Sequence, residues 1–269
     1  STGLTTAIGN GTLIPLLCGS ALHNIGVSQL MDIVGRAFPS PVAHATVMGL
    51  QPGSEEPVER AATLDAPFSA YVFKTIVDPF AGRLSVFRIM SGKLPGEGQL
   101  FNATLGSRET YNRVYLLQGK KQENVTSAAV GDIVAIAKLK EVKTGHSLAD
   151  ESAPILYQGL PKPNALISFA LKPRTQGEED KVAVALQRLA EEDAAMEVTR
   201  DDHTGQLLLQ GMGQVHVENI VEKMKRKFGV EVDLSIPKVP YRETIKTKVE
   251  LVEGKHKKQT GGRGQFGVC

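Results

Sequence analysis

The sequence predicts a multidomain α+β chain. A small β-barrel comes first, then a ferredoxin-like βαββαβ domain, with remnants of flanking domains at either end. Three observations carry this. Residues 164–236 change hydrophobic period in the order strand, helix, strand, strand, helix, strand. Residues 67–156 hold several short apolar runs separated by glycines, the punctuation of an antiparallel barrel. And 269 residues with 41% hydrophobic content suffice for two cores. The expected division is 1–40, a connector at 41–66, a barrel at 67–156, the βαββαβ domain at 157–238 and an incomplete unit at 239–269.

At the N-terminal end, Leu4–Ile8 reads as the last turn of a helix and Leu13–Leu17 as a short apolar strand. Cys18–Ala21 is a tight turn. Gly26–Phe38 is an amphipathic helix with Val27, Leu30, Met31, Val34 and Phe38 on one side, stopped at Pro39 and Pro41. The connector carries Pro52, Gly53 and Pro57 and has no periodicity. Barrel strands are expected at Phe68–Val77, Leu84–Ser91, Gln99–Ala103, Glu109–Leu117 and Asp132–Leu139, closing into a small barrel.

In the βαββαβ block the first strand is Leu166–Leu171, ended by Lys172-Pro173. Thr175 and Glu178 have capping-box spacing ahead of a helix with Val182, Ala185, Leu186 and Leu189 on its apolar face. Met196–Arg200 and Gln206–Gln210 form a hairpin around Asp201–Gly205. Gly211 and Gly213 open a second helix, whose face is Val217, Ile220, Val221, Met224 and Phe228. Gly229 suits a left-handed C-terminal cap. Val230–Ile236 alternates as a strand, with Val230, Val232, Leu234 and Ile236 inward.

Composition excludes several classes. No run approaches the ~18 apolar residues of a membrane span, and no signal peptide opens the chain. Cys18 and Cys269 lie at opposite ends, without C-x-x-C, so neither a disulfide framework nor a cysteine zinc site is expected. His203 and His216 lack partners at metal-ligand spacing and are read as structural, so no metal site and no catalytic residue is assigned. The net charge of +2 conceals a tail from Val239 onward with seven basic and three acidic residues, against a body that sums to −2. Such a tail fits either a polyanion partner or a solvated lysine-rich surface. The string G-x-x-x-x-G-K-[ST], whose amides and lysine hold phosphates, does not occur, nor does N-K-x-D. Gly262, Gly264 and Gly267 fit G-x-G-x-x-G, but that fingerprint needs a strand before it and a helix after it. A dinucleotide site is therefore rejected and a flexible basic loop expected.

The run RLAEEDAAMEVTRDDHTGQLLLQGMGQVHVENIVEKMKRKFGVEV resembles the third domain of elongation factor G, the GTPase that drives translocation on the ribosome. The family's block is close to "RLAEEDP…TGQ…ISGMGELHLE…LKREFKVEV", with Glu-Leu where this chain has Gln214-Val215. FKTIVDPFAGRLSVFRIMSGKL resembles the family's second-domain signature, a barrel of translation-factor type. Gly131-Asp132 also matches, as does Thr144-Gly145-His146-Ser147-Leu148, with His146 replacing an Asp. PGSEEPVERAATLDAP is similar to the connection into that barrel, and VPYRETI with VEGKHKKQTGGRGQFGV to the opening of the fourth domain. LLCGSALHNIGVSQLMDIVGRAFPSP resembles the end of the nucleotide domain, with its last guanine motif.

The resemblance implies a central fragment of an elongation factor G-type GTPase, a cytoplasmic monomer with GTP and Mg as cofactors of the intact parent. Ser20 and Ala21 would lie against guanine in that parent. By itself the chain would be a ribosome-facing scaffold with no cofactor, neither binding nor hydrolysing GTP. The implied partners are ribosomal RNA and proteins, and GTP through the nucleotide domain, with no membrane and no DNA. Arg83, Arg88 and Lys93 are either RNA contacts or plain surface charge. The alternatives are a ribosome-recycling or ribosome-protection paralogue, and a GTPase-deficient ribosome-binding paralogue. A free-standing enzyme on a ferredoxin-like domain would need a clustered nucleophile, base and oxyanion site, for which the sequence offers no pairing.

Overall fold

The computed structural model describes residues 2–40, 43, 45–78, 82–119, 121–248, 250, 252–258, 262 and 264–269. Readings that involve Pro41, Phe80, Gly261 and Arg263 fall outside these. The chain starts with α1 (Thr2–Gly9) and α2 (Val27–Ala37), which lie against each other. No strand forms at Leu13–Leu17, where Ile14 and Leu16 are almost fully exposed. A strand needs a neighbour to pair with, and this stretch has none among the described residues. The expected apolar side of α2 is there, but Leu30, Met31, Val34 and Phe38 are all exposed.

The connector contains structure that its lack of periodicity concealed. β1 (Thr46–Leu50) and β2 (Pro57–Ala61) form an antiparallel hairpin. It is seated on the chain that leaves the barrel, through a Leu50–Leu156 backbone bridge. Gly49 is buried there, and a Cβ added to it would stand 2.5 Å from Ile155 Cγ1 and 2.7 Å from Leu156 O. Only glycine allows so close an approach. Arg60, buried in β2, donates to Ala153 O (2.8 Å) and Pro67 O (3.4 Å).

The barrel region holds β3 (Ser69–Asp78), β4 (Gly82–Ser91), β5 (Lys93–Pro95), β6 (Gly98–Asn102), β7 (Ser107–Tyr111), β8 (Val114–Gln118), β9 (Lys121–Val125), β10 (Ser127–Ala129), β11 (Ile133–Ala137) and β12 (Ser147–Ala149). Eight of them form one curled antiparallel sheet in the order β7-β6-β12-β3-β4-β11-β8-β9, with β10 paired to β5 apart from it. The expected closure is not made by strand pairing, since β7 and β9 remain edges, so the fold is a half-barrel. Side chains bridge part of the gap. The Glu109 carboxylate on β7 accepts from the backbone N–H groups of Lys140, Glu141 (2.9 Å) and Val142 (3.0 Å). The strand expected over Glu109–Leu117 is two strands, broken at Asn112-Arg113 so that Tyr111 and Val114 both enter the core. That core is built on Val72, Phe87, Ile89, Val114, Val134, Ile136 and Leu148, all essentially inaccessible.

The third unit runs β13 (Ile167–Pro173), α3 (Glu179–Glu192), β14 (Glu197–Arg200), β15 (Leu207–Gly211), α4 (Gln214–Phe228) and β16 (Val232–Ser235). Its antiparallel sheet has the order β14-β15-β13-β16, and Leu171, Leu209 and Val232 of the sheet share a core with both helices. This is the ferredoxin-like sandwich that the alternating periods predict. Val182, Ala185, Leu186 and Leu189 of α3 and Val217, Ile220 and Met224 of α4 are buried, as their spacing requires. Pro173 does not end β13 early. It pairs with Val232 beyond the last β15 register position, Leu171, so no ladder bond to β15 is lost. The expected capping box does not form. Glu178 occupies the cap position without a side-chain capping bond, and its carboxylate pairs instead with the side chain of Lys181 in the first turn (3.0 Å). Gly229 closes α4 at φ 66°, its N–H on Lys225 O. Ile236, expected inward, is 86% exposed past the end of β16.

In the tail, β17 (Lys255–Lys258) and β18 (Gln265–Val268) form a hairpin. A strand therefore follows Gly262 and Gly264 where a dinucleotide fingerprint needs a helix. The flexible loop expected around them falls mostly outside the described residues.

Candidate functional site

Ser20 and Ala21 sit in a small closed turn. Ser20 and Ile25 exchange two backbone hydrogen bonds of 3.0 Å, and Ser20 Oγ accepts from His23 N–H (3.3 Å). The crossing is tight because Gly19 and Gly26 meet there. A Cβ on Gly26 would stand 2.8 Å from Cys18 O, and one on Gly19 2.7 Å from Ile25 O. Gly26 also holds φ 77° as it starts α2. Small residues are thus demanded by backbone approach, and Ala21 is left facing outward.

The second arrangement joins the end of α3 to the start of α4. His216 Nδ1 accepts from Met212 N–H (3.1 Å), so the proton sits on Nε2, which donates to Asp193 Oδ2 (2.9 Å). A Cβ on Gly211 would stand 2.7 Å from His216 Nδ1. The structural role read for His216 therefore acquires a partner. The block from RLAEED to GMGQVH is an internal frame in which Asp193, Gly211 and His216 fit one another. His203, the other histidine read as structural, lies in the β14–β15 turn. There Asp201 Oδ1 accepts from the N–H groups of His203 (3.0 Å) and Thr204 (2.7 Å) and from Thr204 Oγ1 (2.9 Å). The Thr204 bonds above all hold the Asp201 carboxyl below its ordinary value.

The third arrangement, missed from sequence, is the seam between half-barrel and ferredoxin-like unit. Glu192 Oε1 accepts from Val77 N–H (2.6 Å) and from Lys227 Nζ (2.6 Å), which also donates to Val77 O (3.2 Å). Lys227, in the last turn of α4, thus reaches across to the half-barrel. Arg83 is not plain surface charge. It donates to the Leu139 and Lys140 carbonyls and lies 3.7 Å from Glu191. Arg88 and Lys93 are exposed. The acidic pair Glu191-Glu192 was visible in the sequence, but its half-barrel partners, Val77 and Arg83, are over a hundred residues earlier. Among the described residues no group of three or more His, Cys, Asp or Glu could hold a metal ion. Cys18 and Cys269 are free, and no helix among the described residues is long and apolar enough to cross a membrane.

Comparison with known families follows these boundaries. Residues 67–151 match elongation factor G domain 2, residues 162–236 its domain III, and residues 237–269 its domain IV. The chain belongs to the elongation factor G family. Its half-barrel is the family's domain II and its ferredoxin-like unit the family's domain III. Among solved structures, a protein from Thermus thermophilus superimposes with a TM-score of 0.72 at 32% identity. The match takes in 99% of this chain and 37% of that one, so this chain spans little more than a third of that relative's length.

Proposed function

We propose that this chain is the middle of an elongation factor G-type GTPase that promotes ribosomal translocation in protein synthesis. The observation that carries the reading is the succession of domains II, III and IV of one family, in order, behind the Ser20-Ala21 turn. Residues 1–40 then end the GTP-binding domain, and 239–269 begin domain IV. Ser20 and Ala21 stand against the guanine base, which a turn free of bulky side chains admits. The residues present fit only that edge of the nucleotide. The phosphates and their Mg would be held by residues outside this sequence, since it contains no phosphate-binding string. By itself the chain is a scaffold that neither binds nor hydrolyses GTP. Its partners in the parent are ribosomal RNA and proteins, met as a cytoplasmic monomer, with neither DNA nor membrane involved.

The test uses the parent protein on ribosomes programmed with messenger and peptidyl-tRNA. Movement of the messenger by one codon, dependent on GTP and on ribosome-stimulated hydrolysis, is expected. Subunit splitting or release of a bound antibiotic without codon movement would replace translocation by recycling or protection. Ribosome binding without nucleotide turnover would remove the GTPase reading.

A further inference from the structure

Domain III is attached to the half-barrel in two ways. The first is covalent. The chain leaving the barrel stays bound to it as far as residue 160, through Tyr157 Oη to Ser69 Oγ (2.6 Å) and Leu160 N–H to Tyr71 Oη (3.2 Å). Domain III has begun by Leu166, whose N–H bonds Gly211 O (2.8 Å). Only Pro161–Ala165 lies between, and Lys162 there already pairs with Glu197 of domain III (2.7 Å). The second attachment is the seam. Val77 and Arg83 face each other in the β3–β4 register. Glu192 and Glu191, successive residues at the end of α3, take one each. Glu192 and Lys227 are largely enclosed, at 10% and 23% side-chain exposure, so salt screens them little.

The seam is not packed like a core. Beside this polar contact is a cavity of about 350 Å³, lined by Thr75, Arg83, Lys143 and Thr144 on one side and by Gln187 and Glu191 on the other. An inter-domain contact that is neither large nor hydrophobic leaves relative motion of the two domains as the expectation, and interfaces switch between discrete arrangements rather than deforming continuously. We infer that Glu191, Glu192 and Lys227 form a clasp that holds domain III in one pose on the half-barrel and that, when opened, leaves it hinged on Pro161–Ala165. The inference rests on the seam alone and does not depend on the proposed function.

The experiment uses the full chain with Cys18→Ser and Cys269→Ser, spin-labelled at Glu123→Cys on β9 and Glu222→Cys on α4. Pulsed electron spin resonance gives the distance distribution, and amide exchange by NMR follows Val77. One narrow distance is expected in this parent. Glu192→Ala and Lys227→Met should each broaden it, and Glu192→Ala should speed Val77 exchange about tenfold or more, the loss of a charge-assisted bond. Exchange at Ile136 and Leu209, in the two cores, should not change. If it does in Glu192→Ala, that variant has unfolded and Lys227→Met decides. A broad distribution already in the parent, or a narrow one in folded variants, overturns the clasp.

Discussion

The imidazole of His146 accepts two hydrogen bonds through one nitrogen: Nδ1 takes Asn102 Nδ2–H (3.0 Å) and Lys143 N–H (3.3 Å). Both favour the neutral ring. Burial lowers its pKa below the ordinary 6.5, with Lys143 and Arg83 pushing the same way and Glu109 opposing. The unfolded chain therefore protonates this group first. Its stability contribution is complete above 6.5 and is withdrawn as pH falls from there towards the lower folded value. Melting temperature should drop between neutral pH and about 5, measured by calorimetry in steps. In His146→Asp, a carboxylate accepts the same two bonds and the drop over that window should flatten. Gly26 gives a second test at this scale. Gly26→Ala places a Cβ 2.8 Å from Cys18 O at φ 77°. A cost of ~1–2 kcal/mol is expected, read as faster exchange of the Ser20 and Ile25 amides while the domain II and III cores keep theirs.

Between elements, the junction of α3 and α4 makes a prediction that neither helix makes alone. His216→Ala leaves Asp193 Oδ2 and Met212 N–H without their partner and should cost about 1–3 kcal/mol in urea unfolding of domain III. Gly211→Ala should cost a similar amount by displacing the ring. The two should not add, because removing the imidazole removes most of what the new Cβ meets. This scale also marks how far the sequence was legible. Helices α3 and α4 and the sheet around them could be read because their apolar faces repeat at fixed periods. The β1–β2 hairpin could not, since its fit rests on Gly49 against Ile155 and on Arg60 reaching two carbonyls, contacts without a period. The edges of the half-barrel were misread for a similar reason: closure depends on partners across the sheet, and glycine spacing marks only the turns.

In the whole molecule, Glu191-Glu192 and Lys227 read locally as the charged ends of two separate helices. Nothing nearby in the sequence says that Val77 and Arg83 complete them. The tight turn at Cys18–Ala21 was legible from its small residues, and the close approach of Gly19 to Gly26 and Ile25 explains why no side chain is admitted at position 19. Each core is independent, so Leu209→Ala should cost domain III about 2–5 kcal/mol and leave the half-barrel transition in place, seen as two separated unfolding steps. The Leu50–Leu156 bridge has a different consequence. Arg60 ties Pro67 and Ala153 to the same guanidinium, so the chain enters and leaves the half-barrel at one point. Topologically the half-barrel is an insert in a path that is already continuous without it, running from the hairpin straight into the strap before domain III. It is a cassette: a homologous half-barrel grafted between Ala66 and Ser152 should leave the flanking units in register, provided Gly49, Arg60 and Ile155 stay.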